Sequence, residues 1–66
     1  MELNVKAVRL AMIDKGFSIA ELSRRSKIAA PTINKWLNHG TKPQSRTVGA
    51  LAKALGVPVT SIIIMD

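Results

Sequence analysis

The chain has no cysteine and one histidine, so neither disulfides nor a cysteine–histidine metal site can staple it. Tyrosine is absent too, and Phe17 and Trp36 are its only aromatic residues. A core must then come from Leu, Ile, Val, Ala and Met, which suits close-packed short helices better than a sandwich or barrel of aromatic-rich strands. No apolar run exceeds four residues, Ile62-Ile63-Ile64-Met65 among them, which excludes a membrane span. Met1-Glu2-Leu3-Asn4 lacks the basic-then-apolar pattern of a signal peptide, so a cytoplasmic, reducing setting is expected. Acid is scarce as well.

Four Asp and Glu stand against ten Lys and Arg, for a net charge of +6 and a pI near 10.6. Between Arg24 and Lys53 lie seven cations (Arg24, Arg25, Lys27, Lys35, Lys42, Arg46, Lys53) and no acid at all. A single-signed window of this length inside a folding unit is the footprint of a polyanion partner; solubility alone is ordinarily met with mixed signs. Sixty-six residues allow one core, so residues 1–66 are expected to form a single domain that buries about 60% of its unfolded surface.

The spacing predicts a first helix from residue 4 or 5 to Lys15, capped by Asn4, with Val5, Val8, Met12, Leu10 and Ala11 as its apolar set and Gly16 as its exit. Ser18-Ile19-Ala20-Glu21 is a capping box: Ser18 would accept from the Glu21 N–H, and the Glu21 carboxylate would reach back to the Ser18 N–H. The second helix then runs to about Ser26, with Arg24, Arg25 and Lys27 favouring its negative end. After a tight break, Pro31 belongs in the first turn of a third helix that begins at Ala29 or Ala30 and covers about 30–38, with Ala30 preferred as N-cap. Ile33, Trp36 and Leu37 share one side of that helix; Thr32, Asn34, Lys35 and Asn38 lie largely on the other. Trp36 could stack on a base, but its spacing with Ile33 and Leu37 makes it a core residue.

Residues 38–44 read as a loop, and a fourth helix from Gln44 or Ser45 to Leu55 carries Val48, Leu51, Ala52 and Leu55 and closes at Gly56. Gly49 inside it costs about 1 kcal/mol against Ala, so either close packing compensates there or the helix is weaker at that point. The last segment is ambiguous, since its successive isoleucines favour a strand while Pro58 and a short apolar run fit a helix; a short helix near 59–64 is expected. No nucleophile–base pairing, metal-ligand spacing or phosphate-cradling glycine motif is present, so no enzyme, metal or cofactor is expected, and His39 is read as a loop residue.

Taken in order and at these separations, Glu21-Leu22, the turn at Ile28, Thr32-Ile33-x-x-Trp36, Pro43 and Leu51-Ala52-Lys53-Ala54-Leu55-Gly56-Val57 resemble the phage-repressor type of helix-turn-helix, the Cro and repressor group also called XRE-like. The resemblance implies an all-α, lambda-repressor-like bundle of four to five short helices around a central helix-turn-helix. It implies a prokaryotic or phage transcription regulator that binds double-stranded DNA with its third helix in the major groove. By position, Ala30, Pro31, Thr32, Asn34 and Lys35 would read bases, while Ser18, Ile19, Asn38, Thr41, Lys42 and Arg46 would meet phosphates. The chain departs from the pattern at four places: Ile19 where Gln is frequent, Lys27 where a turn Gly is frequent, Ala29 in place of a Ser cap, and His39 where the loop Gly often falls.

A unit this small is expected to act as a homodimer on a palindromic operator. Val59, Ile62, Ile63 and Ile64, which exceed the needs of one small core, would form the interface. The alternative is a protein-interaction module, such as an antitoxin or anti-repressor adapter, whose basic face or apolar tail binds a protein partner.

Overall fold

A computed structural model describes residues 2–64. Strand β1 (Glu2–Leu3) leads into helices α1 (Val5–Lys15), α2 (Ile19–Ser26), α3 (Ala30–Asn38) and α4 (Ser45–Leu55), followed by a single 3-10 turn (Val59–Ser61) and strand β2 (Ile63–Ile64). The expected all-α bundle is therefore present, with a two-residue ladder added to it.

Helix α1 starts where Asn4 accepts the Ala7 N–H at 3.1 Å, and it stops at Gly16, whose φ of +73° is open to glycine without a Cβ penalty. It buries Val8 and Met12. Leu10 does not share that face: it is 58% exposed, and Ile13 is 74% exposed. Residues 10 and 13 lie one turn apart, so they form a second apolar stripe that the core does not use.

In α2 half of the expected capping box forms. Ser18 accepts the Glu21 N–H at 3.1 Å, but the Glu21 carboxylate takes the guanidinium groups of Arg24 and Arg25 instead of the Ser18 N–H. Two charged donors within one turn outcompete one neutral backbone donor. The helix ends at Lys27, which sits at φ +61°, the one non-glycine residue in that region among those described. Ser23 helps to shape this exit, because its hydroxyl donates to the Ile28 carbonyl across the turn.

Helix α3 spans the expected residues, but its cap lies one residue earlier than Ala30. Ala29 is the N-cap and Pro31 is the second helical residue. Pro31 has no N–H to offer, and the Ala29 carbonyl accepts from Thr32 at 3.0 Å and Ile33 at 3.1 Å, as the Gln44 carbonyl does from Thr47 and Val48 at the start of α4. Helix α4 begins without a side-chain cap and closes at Gly56 in the left-handed region. A Cβ at Gly49 would meet nothing within 4 Å, so close packing does not compensate for that glycine.

Leu22, Ile33, Leu51, Leu55, Ile62, Val8 and Val48 form the fully buried centre, bordered by Leu3, Met12, Trp36, Leu37 and Ala52. Helix α2 packs against both α3 and α4 and so joins the reading helix to the rest of the bundle.

The expected helix near 59–64 is corrected by the structure. Only Val59–Ser61 make a helical turn; Ile63 and Ile64 pair antiparallel with Leu3 and Glu2, and the Asn4 N–H donates to the Ile62 carbonyl at 2.8 Å. The β-branched run follows its strand propensity because a partner strand is available some sixty residues earlier in the chain. Ile62 is 1% exposed and belongs to the core, so it leaves the set of candidate interface residues.

Candidate nucleic-acid interface

The outward side of α3 is set by what its inward side buries. Ile33, Trp36 and Leu37 are fixed in the core, and helical geometry then turns Pro31, Thr32, Asn34 and Lys35 to solvent, where all four are exposed. Ala30 is only half-buried, at the edge of that surface. Pro31, Asn34, Lys35, His39 and Thr41 line one shallow open depression, which brings together three of the five base-reading candidates and one of the phosphate candidates.

Ser18, Thr41, Lys42 and Arg46 are exposed as well. Ile19 is half-buried, and its side chain lies at the core edge near Phe17 and Leu37, so only its backbone N–H is left for an anion. The starts of α2 and α3 differ in what they offer a phosphate. In the first turn of α2, Ile19 and Ala20 keep the N–H groups that a helix start leaves without intrahelical acceptors. In α3 only Ala30 keeps such an N–H, because Pro31 has none and Thr32 and Ile33 are already bonded to Ala29.

The acid-free window is less uniform in space than in sequence. Glu21, just outside it, pairs with Arg24 and with Arg25 at 2.6 Å, and the Arg25 guanidinium also lies 4.7 Å from the Phe17 ring centroid. Hydrogen bonds from Arg24 and then Arg25 hold the Glu21 carboxyl below its ordinary pKa, and Glu21 in turn raises that of Arg24. These two arginines are therefore partly neutralised, whereas Lys35, Lys42 and Arg46 enter no ion pair among the described residues.

One residue of the site has no sequence signal. Arg9 of α1 reaches the far end of α3, donating to the Leu37 carbonyl at 3.1 Å and to Asn38 Oδ1 at 2.7 Å. It satisfies one of the carbonyls left over at that helix end and sets a cation against the negative dipole. Asn38, a phosphate candidate, is thus already engaged, and its Nδ2 donates to Asn34 Oδ1. Twenty-nine residues separate Arg9 from Asn38, and nothing in the local pattern around either marks the pair.

Among the described residues, no helix is long and apolar enough to cross a membrane, and no cluster of His, Cys, Asp and Glu could hold a metal ion. No curated protein and no solved structure matches the chain. A family model described as helix-turn-helix matches residues 5–62. That match runs from the first residue of α1 to the buried Ile62 and takes in every helix, the left-handed turn and the outward face of α3, so the chain belongs to the Cro and phage-repressor (XRE-like) helix-turn-helix family of DNA-binding regulators.

Proposed function

We propose that residues 1–66 form one sequence-specific, repressor-like domain that lays α3 in the major groove and binds a palindromic operator as a homodimer. The observation that carries this is the two-sided character of α3, whose back is locked by Ile33, Trp36 and Leu37 while Thr32, Asn34 and Lys35 stand clear. A helix held in this way presents donors and acceptors to base edges at little further cost in order. Lys35 would donate to guanine O6 and N7, Thr32 to a base or a phosphate, and Ala30 and Pro31 would touch a thymine methyl. Phosphates would be met by the N–H groups at the start of α2 together with Thr41, Lys42 and Arg46.

For the dimer, Val59 and Ile64 remain exposed and Ile63 is half-buried, so these three stand in for the original four. Two-fold pairing would set two copies of α3 roughly 34 Å apart, one turn of DNA. Selection of bound sites from random duplexes should return a two-fold symmetric sequence, and log affinity should fall linearly with log salt. A flat salt profile, or equal affinity for all sequences, would sink the reading.

A second reading, a protein-interaction module, has one observation in its favour: the exposed Leu10 and Ile13 on α1. Retention of a protein partner at high salt, with no DNA bound, would favour it.

A further inference from the structure

Arg9, Asn38 and Asn34 form a directed chain of hydrogen bonds that links α1 to the exposed side of α3. Its direction follows from chemistry alone. A guanidinium has only donors, so Asn38 must turn its oxygen to Arg9. Its amino group is then left for Asn34, which must answer with its own oxygen. The uncommitted end of the exposed Asn34 amide is therefore Nδ2, a donor. Without Arg9, either amide could rotate by half a turn and present the opposite group, because the two ends of a carboxamide are nearly the same size.

We propose that Arg9, which lies on α1 and outside both α2 and α3, is a specificity-determining positioning residue: through Asn38 it orients the Asn34 amide so that a donor faces the groove. This rests on the DNA-reading role proposed above for α3. Asn34 then selects an acceptor, namely a purine N7, guanine O6 or thymine O4, and disfavours the donor edges of cytosine N4 and adenine N6. Arg9 touches no base itself. A two-bond pairing with adenine N6 and N7, which would need the Asn34 oxygen as well, is thereby excluded, and the contact is made through the amino group alone.

The test is site selection from random duplexes by wild type, Arg9→Met, Arg9→Lys and Asn38→Asp, with melting curves and side-chain amide NMR spectra of the free proteins. Arg9→Met should flatten the preference at the base pair beneath Asn34 by roughly tenfold and leave the other positions unchanged. Arg9→Lys, also donor-only, should restore it. Asn38→Asp is the sharper variant: a carboxylate keeps the bond to Arg9 but offers Asn34 only acceptors. The Asn34 amide must then turn, and the preference should move to cytosine or adenine, with an even loss of affinity across all sites from the added charge.

In the free protein, the Nδ2 resonances of Asn34 and Asn38 should both shift in Arg9→Met. Unmoved resonances, or an unchanged base preference in Arg9→Met and Asn38→Asp, would overturn the proposal while leaving the DNA-reading role intact. Should Arg9→Met fail to fold, Asn38→Asp, which retains Arg9, decides. A wild type with no base preference takes down the reading role and this inference together.

Discussion

Helix α2 starts on a serine whose hydroxyl holds the Glu21 N–H, whereas α3 starts on an alanine whose side chain holds nothing. The first has an acid in its opening turn, two arginines answering it three and four residues on, and a left-handed exit. The second has no acid in its first turn, and a proline there removes one of the donors a cap would use. Local interactions therefore carry much of α2. Helix α3 depends on its three buried residues, on the two hydrogen bonds that the Ala29 carbonyl accepts and on Arg9 arriving from α1. The difference shows how a reading helix can be individual at its front: what fixes it lies behind it and leaves the outward positions free.

The strongest way to break this contrast is Ile33→Ala. Removing a fully buried side chain from α3 should cost about 2–5 kcal/mol in denaturant melts. A loss below about 1 kcal/mol would show that α3 is not held from behind. Next comes the pair of starts. Ser18→Ala should cost about 1 kcal/mol, while Ala29→Ser should gain somewhat less than about 1 kcal/mol, because Pro31 offers no N–H to a hydroxyl at 29 and the Thr32 N–H would be shared with the carbonyl it already bonds. Equal and opposite effects would mean that the proline makes no difference.

Lys27→Gly sharpens the comparison at the exit of α2. A left-handed L-residue costs about 1–2 kcal/mol, and glycine gives up about 0.4–1 kcal/mol of that relief to the greater entropy of the unfolded chain, so a net gain of about 0–1.6 kcal/mol is expected. A loss would show that the lysine makes a compensating contact.

The smallest effect is that of pH. The folded-state pKa of Glu21 is depressed, so its contribution is present above the ordinary carboxylate pKa and disappears as pH falls through the lowered one. The ion pairs are exposed, so the change in melting across that interval should be slight and should vanish in Glu21→Gln or at high salt.

Features written in local chemistry were legible in the sequence. The caps at Asn4 and Ser18, the left-handed exits at Gly16 and Gly56 and the buried triplet of α3 each depend on residues within about one turn, and each stands where the pattern places it. Misplaced features depend on competition or on distance. Glu21 had two possible partners, and its charge decided between them. Leu10 fits the apolar spacing of α1, yet the neighbouring helices cover the other stripe. Ile63 and Ile64 carry strand propensity, but only folding brings Glu2 and Leu3 beside them. At the candidate site, the exposed positions of α3 were readable from their buried neighbours. The bond network that aims Asn34 was not, because its source is on another helix.

The ladder of Glu2–Leu3 with Ile63–Ile64 also makes the described chain topologically close to a ring with a single cut. A short peptide joining residues 2 and 64 would close that ring, and a new cut in the exposed stretch at residues 39–42 would leave all four helices whole. Such a permuted chain would carry α3 at one of its ends and α4 at the other, so the order in which the helices are synthesised could be changed without altering which faces they bury.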